Sequence, residues 1–523
     1  MKHLICLVCL LSLLGAGLSL PFSARAESVV PPETQRLVFY EIFTGSFSDS
    51  DGDGTGDLRG LLARLDYLND GDPDSGKSLG VQGLWLTPVF PSPSYHKYDV
   101  TDYRNIDPAF GTLEDMKNLI DACHARGMRL ILDLPLNHTS RSHPWFRRFQ
   151  SARTLHNDQN EYYDWYICHS RDGLPAGHAC YPIAGTEFCY EGNFSPDMPE
   201  LNYDSEKVRQ EALAIAKFWL DQGVDGFRFD AAKYIYFGDN ARSAAFWEWF
   251  CRELRALSPD IWLVAEVWDS DAVTHQYYPA VNCFDFTLSQ ASGLIAEAAA
   301  GGDVNRYAAY VETYLNTVSG LREGATIVPF LSNHDMDRAA GYLPDSNGRI
   351  RVAANLYLLG PGAPFLYYGE EIGLRGSRGG ANTDANRRLA MRWGDGDPVQ
   401  DPPGADYAKQ TDATVASMTE QNYSLLNYYR RVIALRRANP EIAAGECRAL
   451  RLSGTKAGGF VFTGPDSSCA VLHNTTQKTQ VLDLAEIPDL AGFSVLHAQV
   501  GLGAASLEGT LLTLEGQTSV ILR

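Results

Sequence analysis

The chain has 523 residues, 45% of them hydrophobic and 11% aromatic, with 64 acidic against 44 basic side chains. That length supports one large barrel domain plus a smaller one around a sizeable core. A formal net charge of −20 argues against nucleic acid or anionic membrane as a partner and favours a neutral or cationic molecule.

At the N-terminus, Lys2 and His3 precede an apolar and small-residue run from Leu4 to Phe22, and Ala24-Arg25-Ala26 follows. This is the pattern of a signal peptide cleaved after residue 26, with no stop-transfer cluster behind it. The mature chain is then secreted or periplasmic, and loss of two basic residues moves its charge from −20 to −22. Cys6 and Cys9 leave with the leader. The other eight of the ten cysteines would sit in an oxidising compartment, where structural disulfides are expected. Cys168, Cys180 and Cys189 crowd one segment, Cys447 and Cys469 another, without the paired spacing of a zinc site. Their connectivity is left open.

Short apolar strands and amphipathic helices then alternate eight times, which predicts βα units around a parallel barrel. The strand candidates are 37–43, 83–87, 129–134, 226–230, 262–266, 283–286, 326–331 and 364–368. Just past the first lies "DSDGDGTGDLRG", residues 49–60. Asp49, Asp51, Asp53 and Asp57, with the carbonyl of Thr55, occupy odd positions of a glycine-bent loop, which can point oxygens at one hard cation. The alternative is a plain acidic turn. An EF-hand fits poorly, because its twelfth position would be Gly60 rather than a bidentate Glu. In "TLEDMKNLIDACHARG", Thr112 and Asp115 form a capping box, Leu113, Met116, Leu119, Ile120 and Cys123 form an apolar stripe, and Gly127 ends the helix.

The interval from 139 to 204 is too long for a loop and is rich in aromatics, Gly, Pro and Cys; it is expected to form a small inserted domain. The barrel then occupies 27–138 and 205–444. After the helix in "SLLNYYRRVIALRRANPEI", short alternating segments predict an antiparallel β-sandwich over 445–523.

Polar residues at the carboxyl ends of barrel strands are where chemistry is expected. The third strand ends with Asp133, Asn137 and His138, the fourth with Arg228 and Asp230, the fifth with Glu266, and the seventh with His334 and Asp335. Any one acid alone reads more readily as a cap or a surface charge; four converging from four strands read as a site. Arg228 and Asp230 are two apart and share a strand face, so the guanidinium holds Asp230 ionised. Glu266, between Ala265, Val267 and Trp268, sits in apolar company that raises its pKa and suits a proton donor.

These segments, with "MPELN" at 198–202 and "SYHKYDVTDY" near residue 98, resemble the signature regions of glycoside hydrolase family 13, the α-amylase family, over about residues 35–520. The resemblance implies a (β/α)8 TIM barrel with Asp230 as nucleophile, Glu266 as general acid/base and Asp335 as the third catalytic carboxylate. It also implies substrate contacts from His96, Tyr98, His138, Arg228, Lys233 and His334, with Asp133 shaping the subsite opening. The 49–57 loop resembles a structural calcium site of the oligo-1,6-glucosidase branch. A second calcium site of the family uses the residue that matches Asn137, but Tyr234 stands here in place of that site's usual His partner. Ala231, after the nucleophile, resembles α-1,4-acting members, whereas "DANRRLAMRW" resembles exo-glucosidases. The expectation is a retaining α-1,4-glucan or malto-oligosaccharide hydrolase, acting as a monomer. An exo-acting α-glucosidase or oligo-1,6-glucosidase, a trehalose- or isomaltulose-forming transferase, and a non-catalytic sugar-binding relative are the alternatives. The aromatics Tyr162, Tyr163, Trp165 and Tyr166 read as core of the inserted domain, or else as stacking platforms for glucose rings.

Overall fold

A computed structural model describes residues 37–170, 173–379 and 384–523. The leader expected at residues 1–26 lies outside the described residues.

Seven parallel strands form the central sheet: Phe39–Ile42, Gly83–Leu86, Arg129–Leu134, Gly226–Phe229, Trp262–Ala265, Asn282–Cys283 and Phe365–Tyr367. The last pairs back onto the first, Phe39 against Phe365. The expected strand over 326–331 is reduced to single bridges, Phe284 to Val328 and Phe330 to Phe365, both parallel. Pro329 lies between them and has no N–H to donate, which interrupts a continuous ladder. Its carbonyl still accepts from Phe365 N at 2.9 Å, and Val328 O accepts from Asp285 N at 3.1 Å. The eight segments therefore close a (β/α)8 barrel; the third strand matches the sequence pattern in full, the sixth keeps only Cys283 of 283–286 with Asn282 before it, and the other strands end one or two residues short.

Inside the barrel, strand alternation sorts side chains by height. Phe39, Trp85, Ile131, Trp262, Val264, Phe284, Val328, Phe330 and Phe365 make one buried apolar cluster. Two residues beyond Phe39, Ile131 and Gly226 on the same inward faces come Glu41, Asp133 and Arg228. Asp133 pairs in register with Arg228, so they share one layer near the carboxyl end of the barrel. The opposite strand faces, with Tyr40, Leu84, Leu130 and Leu132, pack into a larger cluster with the surrounding helices.

The helix Leu113–Ala125 has the expected Thr112–Asp115 capping box. Met116, Leu119, Ile120 and Cys123 are buried, with Leu113 at the edge. At its end Gly127 adopts φ +68°, and Met128 N–H reaches Cys123 O at 2.9 Å, closing a Schellman turn. The helices Glu206–Asp221 and Leu425–Ala438 also form where the periodicity places them.

Between the third and fourth barrel strands the chain builds a helix, Pro144–Thr154, and a three-stranded antiparallel sheet in which Phe188–Glu191 lies between Cys168–Ser170 and Cys180–Pro182. It returns to the barrel through a bridge between His138 and Glu200. Beyond residue 445 an antiparallel five-stranded sheet and a three-stranded sheet bury Leu450, Val461, Leu472, Leu482, Leu512, Leu514 and Val520 between them. No helix among the described residues is long and apolar enough to cross a membrane.

The disulfide expectation is met at one place. Among the described residues one bridge forms, Cys180–Cys189, while Cys123, Cys168, Cys251, Cys283, Cys447 and Cys469 are thiols. Cys447 and Cys469 each pair with Phe462, from opposite sides. They stand two strand spacings apart, roughly 9–10 Å, beyond the 4.4–6.8 Å range of Cα separations that a disulfide spans.

Candidate active site

A cavity of about 710 Å³ opens at the carboxyl end of the barrel. Asp230, Glu266 and Asp335 all line it, with His96, Tyr98, His138 and Lys233. The three acids come from the ends of the fourth, fifth and seventh segments, yet one guanidinium organises the first two. Arg228 Nη1 donates to Asp230 Oδ1 at 2.7 Å and Nη2 donates to Glu266 Oε2. The backbone N–H of Ala231, whose φ is +45°, also points at Glu266 Oε2, at 3.3 Å.

Asp133, Arg228 and His334 are fully buried and stand behind the cavity wall rather than on it. For Asp133 this corrects the expected place at the subsite opening. Its carboxylate accepts from Arg228 Nη1 at 2.8 and 2.9 Å, from Tyr98 Oη at 2.9 Å and from Trp85 Nε1 at 3.3 Å. The cause is register: Asp133 is level with Arg228, one layer below Asp230. Its work is to hold the Arg228 fork and the Tyr98 ring. Burial, with Asp230 adding to it, pushes Asp133 up to about 7 against the pull of Arg228.

Burial also pushes Glu266 up to about 7, and the nearby Asp230 and Asp335 carboxylates add to this against Arg228. The direction agrees with the sequence expectation, while its causes include neighbouring charge as well as apolar surroundings. Asp335 behaves oppositely. Burial alone would raise it, but His334 and Arg388 hold it well below the usual carboxylate range; their contacts are His334 Nε2 at 3.1 Å and Arg388 Nη2 at 2.7 Å.

His334 is in turn pushed up to about 10, because Asp335 and Glu41 outweigh the opposing effect of burial. Its Nδ1 reaches Glu41 Oε1 at 2.5 Å, and its ring stacks on Tyr98 at 5.5 Å between centroids. The stability this ion pair contributes is present in full below the unfolded His value near 6.5 and is lost as pH rises toward 10. Replacing Glu41 by Gln is therefore expected to lower unfolding free energy by about 3–5 kcal/mol at neutral pH, the gap to wild type shrinking near pH 10. Denaturant melts across that range would check it.

His96 Nδ1 accepts the backbone N–H of Tyr98 at 3.2 Å, and burial and Arg388 lower its pKa to about 4. The ring is neutral, with Nε2–H free to donate. His138 is buried against Phe194, and its Nε2 has no hydrogen-bond partner among the described residues. Lys233 Nζ donates to Trp268 O at 2.8 Å and contacts Asp269 at 3.0 Å.

Sequence reasoning missed Glu41, Tyr95, Phe194, Trp268 and Arg388, all part of this cavity or its supports. Glu41 is a lone acid in the apolar run "FYEIF", two residues from the inward Phe39, a signal that strand parity makes readable. Arg388 sits in "DANRRLAMRW", where position carried no charge partner until the fold supplied Asp335. Of the residues proposed as stacking platforms, Trp165 and Tyr166 are buried and Tyr162 packs on Trp165; none lines the cavity.

The acidic loop lies away from this cavity. Asp49, Asp51 and Asp57 place carboxylate oxygens within 4.8 Å of one another, and Gly52 and Gly54 take φ +87° and +92° to allow the bend. Asp49 accepts the N–H groups of Asp51, Gly52 and Gly54 at 2.7–2.9 Å; although burial would raise it, these amides hold it below its ordinary value. Asp53 stands apart, its carboxylate turned onto the N–H of Thr55 at 2.7 Å. Asp57 doubles as the cap of the helix Leu58–Ala63.

Comparison with known proteins places this architecture. Residues 41–445 match the family described as "Alpha amylase, catalytic domain". Alpha-amylase 3 of Dictyoglomus thermophilum is 35% identical over 454 residues, 85% of each chain. The trehalose synthase/amylase TreS of Mycobacterium tuberculosis is 30% identical over 82% of this chain and 79% of its own. The solved structure of Eubacterium rectale Amy13B superposes with a TM-score of 0.86 at 33% identity, covering 94% of this chain and 96% of that one.

Proposed function

Because this chain belongs to the α-amylase family of glycoside hydrolases, we propose that Asp230, Glu266 and Asp335 carry out retaining hydrolysis of α-1,4-glucosidic bonds in malto-oligosaccharides. One observation carries the reading: Asp230 and Glu266 each accept a hydrogen bond from a different terminal nitrogen of Arg228. Such sharing favours a retaining pair, whose carboxyls stand about 5–5.5 Å apart, over an inverting pair at about 6.5–9.5 Å.

In this scheme Glu266 protonates the departing glycosidic oxygen while Asp230 attacks the anomeric carbon. The covalent glucosyl-Asp ester is then hydrolysed by water that Glu266 deprotonates. Asp335, kept anionic by His334 and Arg388, grips hydroxyls of the reacting sugar. His96 Nε2–H and the unpartnered His138 Nε2 supply further hydroxyl contacts, Tyr98 supplies a stacking face, and Lys233 faces the leaving-group side. No cofactor takes part in the bond cleavage.

A second reading, transfer rather than hydrolysis, has support in the similarity to a trehalose synthase/amylase. Products formed from maltoheptaose over time, with pullulan and isomaltose alongside, separate the readings. Random early fragments support the amylase. Glucose alone indicates an exo-glucosidase, and longer oligomers or rearranged disaccharides a transferase.

For the acidic loop we propose calcium, bound by Asp49, Asp51 and Asp57 with the Thr55 carbonyl. The oxygen-only donor set suits a hard cation, and the ion would brace the turn between the first strand and the helix Leu58–Ala63. Calcium at 100 times its dissociation constant is expected to stabilise the chelator-treated protein by about 2.7 kcal/mol, seen as a rise in melting temperature. Asp51→Asn should remove that response. Secretion of the mature chain, read from residues 1–26, is proposed on the leader pattern alone.

A further inference from the structure

The three-stranded sheet inserted after the third barrel strand carries a second cluster of metal-ligating side chains, unrelated to the acidic loop. His169, His178 and Glu191 place one ligand atom each within 4.8 Å of one another. His169 Nε2 and His178 Nδ1 both converge on the same oxygen, Glu191 Oε1, the latter at 2.8 Å.

We propose that these three residues bind a zinc ion. A carboxylate with two histidines for company as an ordinary ion pair has two oxygens to share between them; here both imidazoles aim at one point. The ligands also arrive from separate pieces of backbone. His169 lies on the strand Cys168–Ser170, opposite Cys189, and Glu191 is two residues further along the same face of the central strand. His178 enters from the segment leading into Cys180, which pairs with Glu191. The Cys180–Cys189 disulfide clamps the edge strand Cys180–Pro182 to the central strand, so His178 and Glu191 are held near one another before any ion arrives.

The remaining oxygen of Glu191 is also held. Asn193 Nδ2 donates to Glu191 Oε2 at 3.2 Å, while Asn193 Oδ1 accepts from Ala179 N at 2.8 Å; outer hydrogen bonds of this kind orient metal ligands. Two imidazoles and one carboxylate suit zinc, which takes four donors at about 2.0–2.1 Å, roughly 3.3 Å from one another. Glu191 is buried while both histidines are partly exposed, which leaves the fourth position to water.

The site touches the substrate cavity through a chain of rings. His178 packs edge-on against Phe237 at 4.9 Å, Phe237 stacks on Tyr234 at 5.2 Å, and Tyr234 meets Phe194 at 4.6 Å. Tyr234 and Phe194 line the cavity beside His138. An ion that fixes the His178 ring therefore braces one wall of the cleft, whichever glucan the enzyme cleaves.

The test is titration of chelator-stripped full-length protein with Zn²⁺ by calorimetry, together with the visible spectrum of the Co²⁺-loaded protein. The expected result is one equivalent of Zn²⁺ retained in Asp51→Asn and weakened at least about 100-fold in His169→Gln and His178→Gln, with Asn193→Ala weakened about 10–100-fold. Co²⁺ should give the intense bands of tetrahedral coordination, a readout that needs no variant. Absence of stoichiometric Zn²⁺ binding by the wild type, affinity unchanged in both histidine variants, or a weak octahedral Co²⁺ spectrum would each overturn the proposal.

Discussion

Asp230→Asn is expected to lower kcat on maltoheptaose by roughly 10⁴–10⁶-fold, the scale seen when a covalent nucleophile is removed, with little change in fold. Asparagine is nearly isosteric and keeps an oxygen for Arg228 Nη1, which now bonds Asp230 at 2.7 Å. What it loses is the charge that attacks the anomeric carbon. Arg228 is buried and also holds Asp133 and Glu266, so its guanidinium keeps two carboxylates and the cavity floor survives. A circular-dichroism melt close to wild type together with lost turnover would separate a chemical role from a structural one. Turnover retained above about 1% would remove Asp230 from the mechanism.

Glu266→Gln should divide substrates by leaving group. On maltoheptaose, where the departing sugar oxygen needs a proton, kcat/KM is expected to fall by about 10²–10⁴-fold. On α-maltosyl fluoride, whose leaving group needs no acid, the first step should be nearly untouched and the second slowed, because no base remains to activate water. The pH profile adds an independent check. Glu266 is pushed up to about 7 by burial and by Asp230 and Asp335, so wild-type kcat/KM should decline as pH rises through about 7. That alkaline limb should vanish in the variant. The linkage sign follows as well. A carboxyl whose folded pKa is raised contributes stability present below its unfolded value near 4.3 and lost as pH climbs through 7. The glutamine variant should therefore melt at a higher temperature than wild type above pH 7, the usual exchange of stability for an active group.

Much of this arrangement is legible from residue order because strand parity and helix periodicity are local. The helix at Leu113–Ala125, its capping box and its terminal glycine are set within sixteen consecutive residues. The convergence of Asp230, Glu266 and Asp335 is legible because a closed parallel barrel brings all carboxyl ends to one rim. What escapes is height and partnership. Asp133 looks equivalent to Asp230 in the sequence, yet the register with Arg228 sinks it one layer, and it becomes a support for the fork rather than a wall of the cavity. Glu41 and Arg388 lie 347 positions apart and take their meaning from His334 and Asp335, which the barrel carries to them. The seventh strand dissolves into bridges because one residue, Pro329, lacks a donor. The thiols of Cys447 and Cys469 look like a pair in sequence, but Phe462 stands between them. Long-range pairing of this kind leaves no local trace.

The most direct measurement of the central claim is peptide mapping of Glu266→Gln after brief incubation with α-maltosyl fluoride. With attack intact and deglycosylation slowed, a maltosyl ester should accumulate, raise the intact mass by one maltosyl group and map to Asp230. An adduct on a different side chain, or turnover releasing the β-anomer with no adduct, would contradict a retaining mechanism through Asp230.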